Sequence, residues 1–251
     1  MYININARAK TIIEQCRALL FPDFYCEAGE CAGSALRQRL LESLSSAIGM
    51  CFSFQGGSGD AEAIAAEFVD SLPQLGQTLQ KDVIATYNGD PAAESVAEVI
   101  ACYPGIRAIS SYRIAHALLL AGVPLLPRII TELAHSETGI DINPAATIGE
   151  SFAIDHGTGV VIGATAILGD NVKLYQGVTL GAKSFPLDEN GNPVKGVPRH
   201  PILEDNVIVY SNATILGRVT IGKNAVIGGN IWVTEDVAPG TKVVQSPKKY
   251  F

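Results

Sequence analysis

The chain has 251 residues, of which 47% are hydrophobic and 17% charged, and its 18 basic and 25 acidic side chains give a net charge of −7. This composition can build a large core, and it argues against a general nucleic-acid or anionic-membrane surface, because such surfaces are basic. The longest apolar run lies between Arg113 and Arg128 and is too short and too interrupted to span a bilayer. The five cysteines form no CxxC pair, which favours free thiols and a cytoplasmic protein over a disulfide framework or a structural zinc site.

Residues 1–139 have apolar side chains at helical spacing and are predicted to form an α-helical domain. Gly, Pro and Asn clusters separate the helices. Asp60 and Asp90 stand where helix N-caps are expected. The predicted helices cover residues 6–20, 31–50, 60–87, 92–101, 106–121 and 126–136.

Residues 140–251 follow a period of six instead. This period fits neither an amphipathic helix nor a hairpin, but it is typical of short strands joined by corners in a three-walled parallel β-helix, with the aliphatic residues pointing inwards. The fold class is therefore α+β, a helical part followed by a β-helix. The aliphatic anchors are Ile142, Ile148, Ile154, Ile162, Leu168, Leu174, Leu180, Leu203, Val209, Ile215, Ile221, Ile227 and Val233.

Two interruptions break the period, and in a rigid solenoid such places carry function. Two extra residues enter between Ile154 and Ile162, in the segment DHGTGVV, and an extruded loop occupies about residues 182–200. Within that loop the acidic segment DENGN is interpreted as a turn.

Two of the four histidines fall at these interruptions, His156 at the first and His200 at the second. Asp155 adjoins His156, and Asp141 lies 15 residues before it, roughly one coil away. A carboxylate that orients an imidazole is what general-base activation of a hydroxyl requires. Arg199 adds a permanent cation suited to a carboxylate or a phosphate. The other two histidines lie on predicted helices, where a structural role is favoured.

Several motifs together resemble the serine O-acetyltransferases over roughly residues 88–240. They are DINPAATIG, DHGTGVVIG, YQGVTLG and RHP, preceded by DPAAES and SYRIAHALL. The resemblance implies that the β-helix is left-handed. It also implies transfer of an acetyl group from acetyl-CoA to the hydroxyl of L-serine, the first step of cysteine biosynthesis.

The resemblance implies a direct attack in a ternary complex. His156 would take the proton of the serine hydroxyl, Asp141 would hold the ring in the productive tautomer, and His200 would assist in the same pocket. The absence of cysteine after residue 102 agrees with a reaction without an acyl-enzyme. No metal and no permanently bound cofactor are implied, since acetyl-CoA is a co-substrate.

The resemblance also implies how the two substrates bind. Asp90 and Asp155 would receive the substrate ammonium, and Arg199 would bind its carboxylate. Gly181 and Ala182, at the start of the loop, would approach the CoA arm. The loop before Arg199 is longer than in the best-known family members, which affects the cofactor contacts.

Family members place the site between neighbouring solenoids of a homotrimer, and their helical domains join two trimers into a hexamer. The resemblance therefore implies that the domain of residues 1–139 serves assembly and forms part of the serine site. The sequence differs from the usual pattern at Asn143 and Ala164, neither of which is a proposed catalytic group. It ends at QSPKKYF, without the isoleucine-ended tail that docks into O-acetylserine sulfhydrylase, so that partnership is not expected. Inhibition by cysteine is compatible with the resemblance.

Three other interpretations remain open at this point. An acetyltransferase for a sugar or another hydroxyl acceptor would share the solenoid and a catalytic histidine, but it would not need Asp90, Asp155 and Arg199. A metal-dependent hydratase of the γ-type carbonic anhydrase arrangement would need three histidine ligands, whereas this half holds only two. A non-catalytic trimerising scaffold would leave the histidines at the interruptions unexplained.

Overall fold

The computed structural model describes residues 4–26 and 33–245. The start of the second predicted helix, with Cys31, and the terminal residues 1–3 and 246–251 lie outside this range. Its first part is helical, as predicted, with one additional short helix that begins at a proline in the first helical position. The helices are α1 (Ile5–Leu20), α2 (Pro22–Tyr25), α3 (Gly33–Phe54), α4 (Ala61–Gly89), α5 (Val96–Cys102), α6 (Pro104–Leu120) and α7 (Leu126–Thr138).

One of the two predicted N-caps is confirmed and the other is wrong. Asp60 caps α4 and accepts a hydrogen bond from the backbone N–H of Ala63 at 2.9 Å. Asp90 is instead the C-cap of α4. An N-cap at Asp90 would start α5 at the next residue, whereas α5 starts at Val96. Ser95 is the cap of α5, because the Ser95 hydroxyl can accept from the N–H of Glu98 at 3.0 Å in a Ser-x-x-Glu sequence.

The second part is a left-handed parallel β-helix, as predicted, and every aliphatic anchor lies in a strand with its side chain buried. The strands are β1 (Asp141–Ile142), β2 (Thr147–Ile148), β3 (Ala153–Asp155), β4 (Val161–Ile162), β5 (Ile167–Leu168), β6 (Lys173–Tyr175), β7 (Thr179–Gly181), β8 (Ile202–Leu203), β9 (Ile208–Val209), β10 (Thr214–Leu216), β11 (Thr220–Ile221), β12 (Val226–Ile227), β13 (Trp232–Val233) and β14 (Lys242–Val243).

These strands form three parallel walls. Wall A contains β1, β4, β7, β10 and β13, wall B contains β2, β5, β8 and β11, and wall C contains β3, β6, β9, β12 and β14. Identical positions of successive coils pair directly, as Ile142 with Ile162 and Ile162 with Leu180. The corner from wall C to wall A is called here the CA vertex, and the corner from wall A to wall B the AB vertex.

The change from helix to strand falls at residues 139–141, where Gly139 ends α7 in the left-handed conformation with φ 71°. The hydrophobic core is nevertheless continuous across this point. Side chains of α4 and α6, among them Leu79 and Tyr112, pack in one cluster with the anchors of the solenoid. A second cluster lies among the helices themselves. The helical part is thereby fixed against the first coils.

A buried ion pair reinforces this attachment. Asp82 of α4 is fully buried and accepts two hydrogen bonds from Arg113 of α6, both at 3.0 Å. The same carboxylate accepts from the backbone N–H of Phe152 at 2.9 Å, while Arg113 donates to the carbonyls of Ile148 at 2.7 Å and Gly149 at 2.6 Å. The pair therefore ties two helices to the corner between β2 and β3.

No helix within the described ranges is long and apolar enough to cross a membrane. Cys16 and Cys51 are buried free thiols, and burial raises the pKa of Cys16 to about 12. Cys102 is a free thiol on the surface. Cys26 is disulfide-bonded, so the expectation of free thiols is wrong at this position.

Candidate active site

His156 stands at the CA vertex, directly after β3. Its backbone has φ 56°, in the left-handed region that a side chain such as histidine seldom adopts. The next residue, Gly157, has φ 94°, and a Cβ there would collide with Ile140. The extra residues predicted at this interruption thus form a strained corner that presents the His156 ring to solvent, with 75% of the side chain exposed.

Asp155 lies beside this ring but is largely enclosed. Its Oδ1 is 3.8 Å from Nε2 of His156, and only 11% of its side chain is exposed. Its other oxygen, Oδ2, is 3.0 Å from the ammonium of Lys173 on the next coil of wall C. Asp155 is therefore a largely enclosed carboxylate, paired with Lys173, within reach of the same space as His156.

Asp90 reaches this vertex from the end of α4. Its Oδ2 accepts a hydrogen bond from the hydroxyl of Tyr103 at 2.6 Å, and its Oδ1 accepts from the N–H of Ala92 at 2.8 Å. The hydrogen bond from Tyr103, that from Ala92 and the nearby charge of Lys173 lower the pKa of Asp90. Asp90, Tyr103, Asp155 and Lys173 line one crevice between the helical part and wall C. The structure thus brings together both carboxylates expected to bind an ammonium.

Asp141 begins wall A and points elsewhere within this chain. One of its oxygens is 3.8 Å from a guanidinium nitrogen of Arg128, and no oxygen of Asp141 lies within 4.0 Å of a ring nitrogen of His156 in the described residues. Its role in orienting His156 stays a prediction. Asp141 also forms, with Glu132 and His135, the one group of potential metal ligands in the described ranges. Arg128 pairs with both carboxylates, which makes that group a poor site for a cation.

Arg199 and His200 lie at the AB vertex, just before β8. His200 is 7% exposed, and its Nδ1 is 2.8 Å from the hydroxyl of Thr165. The same hydroxyl accepts hydrogen bonds from the N–H groups of Arg199 and His200 at 2.9 and 3.2 Å. Burial, Arg199 and Arg218 lower the pKa of His200. A Cβ at Gly163 would overlap the His200 ring, so glycine is required beneath it.

The extruded loop leaves from the same vertex. Gly181 ends β7 and its carbonyl accepts from the N–H of Gly217 at 3.0 Å, while Ala182 follows as the first loop residue. The DENGN segment forms the turn that was predicted, since Oδ1 of Asp188 accepts from the N–H groups of Asn190 and Asn192 at 2.9 and 2.8 Å. Contacts of Gly181 and Ala182 with CoA stay predictions.

The predicted site residues therefore fall into two groups in one chain. His156, Asp155 and Asp90 share the CA vertex, with Asp141 at the start of the adjoining wall. Arg199 and His200, with Gly181 and Ala182, occupy the AB vertex. Because wall A separates the two vertices, a single chain does not bring its arginine to its own ammonium site.

Sequence reasoning missed Lys173 and Tyr103. Lys173 occupies the position before an anchor, where most side chains are partly exposed, so the period gives no reason to single it out. Tyr103 precedes the proline that starts α6 and could be taken for a helix boundary. His116, by contrast, makes a structural contact of the expected kind, with Nδ1 2.7 Å from the carbonyl oxygen of Pro144.

Comparison with known proteins agrees with this architecture. The bacterial transferase hexapeptide (six repeats) family matches residues 200–230. A plasmid-encoded serine acetyltransferase of Synechococcus elongatus is 54% identical over 189 residues, which cover 75% of this chain and 59% of that protein. The chain thus spans somewhat over half the length of that relative. The serine acetyltransferase of Bacillus pumilus is 43% identical over 179 residues, covering 68% of this chain and 78% of that protein.

The fold is shared with a solved structure over nearly its whole length. Serine acetyltransferase isoform 3 of Entamoeba histolytica, determined in complex with cysteine, superposes with a TM-score of 0.83 at 35% identity. The match covers 96% of this chain and 83% of the other. Sequence and structure together show that the chain belongs to the serine acetyltransferase family.

Proposed function

We propose that the protein transfers the acetyl group of acetyl-CoA to the hydroxyl of L-serine, giving O-acetyl-L-serine and CoA for cysteine biosynthesis. The observation that carries the proposal is the CA vertex, where an exposed imidazole adjoins two carboxylates. Oδ1 of Asp155 is 3.8 Å from the His156 ring, and Asp90 lies in the same crevice as Asp155. A sugar acceptor has no ammonium and would gain nothing from two anions at this place.

His156 supplies the general base. Its exposed ring can accept the proton of the serine hydroxyl as the hydroxyl oxygen attacks the thioester carbon. The carbon–sulfur bond of the tetrahedral intermediate then breaks, and the His156 proton passes to the departing CoA sulfur. Backbone N–H groups at a coil corner can stabilise the oxyanion. Asp141 fixes the tautomer of His156, and His200 assists in the same pocket.

Charge complementarity selects serine as the acceptor. Asp90 and Asp155 bind its ammonium, and Arg199 binds its carboxylate in a charge-assisted contact. Gly181 and Ala182 line the path of the CoA arm. The proposed location is the cytoplasm.

Two copies of the chain complete each site. Arg199 and His200 lie at a different vertex from His156, so the carboxylate clamp reaches the ammonium site when the AB vertex of one copy meets the CA vertex of the next. Such a head-to-tail contact closes into a ring. A trimer, paired into a hexamer through the helices, is the proposed assembly. An active monomer in analytical ultracentrifugation would refute it.

The activity is tested by following thioester loss from acetyl-CoA with L-serine, a sugar panel and no acceptor. Turnover with serine, lost in a His156→Ala variant, is the expected result. Turnover with a sugar and none with serine would contradict the proposal.

A further inference from the structure

Lys173 places a protein ammonium in the crevice where the substrate ammonium is expected. It lies on β6, one coil away from β3, and 14% of its side chain is exposed. Its Nζ is 3.0 Å from Oδ2 of Asp155 and donates to the carbonyl of Gly89 at 2.6 Å. Nζ also lies 4.5 Å from the ring centroid of Tyr175. These are the partners that any alkylammonium would seek.

The solenoid itself does not require this charge. Lys173 pairs along wall C with Ala153 on one side and Ile208 on the other, and both are apolar. The contacts that account for a lysine at this position therefore lie outside the wall, at Asp155 and at the end of α4. Its contact with Gly89 is close enough that a Cβ at that glycine would lie 3.5 Å from Nζ.

The charges that line the crevice affect how strongly it attracts a substrate ammonium. Asp90 and Asp155 supply two negative charges, and Lys173 supplies one positive charge beside them. A serine ammonium that approaches these two carboxylates meets one net negative charge rather than two, and it is repelled by Lys173 at short range. Resting on the proposed function, we propose that Lys173 is a built-in counter-ion of Asp155 that weakens serine binding and thereby determines the KM for serine.

The experiment compares the steady-state kinetics of Lys173→Met with those of the wild-type protein. The KM for serine is expected to fall about five- to tenfold in this variant, the size of effect that one like charge about 4 Å away produces when solvent screens it as strongly as bulk water does. Lys173→Arg keeps the positive charge and should leave the KM for serine high. Lys223→Met is the matched control, because Lys223 pairs with Asp205 at 3.1 Å elsewhere on the solenoid.

A second readout separates electrostatic competition from a structural role. Glycerate carries a hydroxyl in place of the amine of serine, so it has no ammonium to be repelled. Its inhibition constant against serine should not fall in Lys173→Met. A fall for both compounds would mean that the variant merely opens the crevice. A KM for serine that is unchanged or higher would also overturn the inference, whether or not thermal unfolding shows a loss of stability.

Failure of the proposed function is recognised separately. Wild-type protein without serine-dependent thioester loss would overturn the proposed activity and this inference with it. Active wild-type protein whose KM does not fall on replacement of Lys173 would overturn the inference alone.

Discussion

Replacement of Arg113 by methionine tests how the helical part is held against the solenoid. Methionine keeps much of the length of arginine, but it removes the guanidinium that serves Asp82 and two backbone carbonyls. Asp82 would keep a single hydrogen bond, from the N–H of Phe152, in a fully buried position. The variant therefore leaves a buried carboxylate without its counter-charge.

The expected loss of unfolding free energy is about 3–5 kcal/mol, the usual cost of removing one partner of a buried ion pair. Burial already raises the pKa of Asp82, and loss of Arg113 removes the main opposing influence. The folded variant then binds a proton that the unfolded chain releases, so its stability should increase as the pH falls. A double variant that also carries Asp82→Asn removes the unpaired charge and should recover part of the loss.

Urea unfolding of the three proteins at two pH values measures these effects. The KM for serine should rise in Arg113→Met, because α4 carries both Asp82 and Asp90. Arg37→Met is a suitable control, since Arg37 of α3 forms an exposed ion pair with Asp70 of α4. A loss below 1 kcal/mol, or no difference between the single and double variants, would refute the reasoning.

Four further predictions concern the site. His156→Ala should lower kcat about 10²–10⁴-fold in the thioester assay without changing the melting temperature. Arg199→Ala should raise the KM for serine more than it lowers kcat. An unchanged KM would show that Arg199 does not bind the serine carboxylate. Gly163→Ala should displace the His200 ring and lower kcat/KM, with Gly33→Ala as a control in open space at a glycine without positive φ. Because the pKa of His200 lies below its ordinary 6.5, stability should decline as the pH falls through that value, and His200→Gln should flatten the decline in unfolding experiments.

The sequence predicts the solenoid well because each six-residue repeat corresponds to one strand and the corner that follows it. Each coil places one inward-facing anchor in every wall, so an aliphatic residue returns at every sixth position. The anchors from Ile142 to Val233 all lie in strands. The interruptions are equally visible, since an inserted residue cannot be absorbed into a wall. His156 and His200 were found for this reason.

The relations between distant elements could not be predicted in the same way. The prediction of Asp90 as an N-cap is wrong because the local sequence does not show which of Asp90 and Ser95 caps α5, and Ser95 is the cap. Lys173 meets Asp155 and Gly89 only after α4 has docked on wall C, which depends on tertiary packing. His156 and His200 occupy different vertices because of the number of strands and corners between them, which neither motif shows by itself.

The central claim is that one site is shared between two copies of the chain, and subunit mixing tests it most directly. His156→Ala and Arg199→Ala variants would be unfolded together, refolded and assayed with acetyl-CoA and with L-serine far below the KM of the Arg199→Ala variant. Random assembly places an intact CA vertex against an intact AB vertex in about one quarter of the sites, so activity should return to about that fraction of the wild-type value. Activity that stays at the mean of the two separate variants would contradict the shared site, because neither chain alone carries both residues.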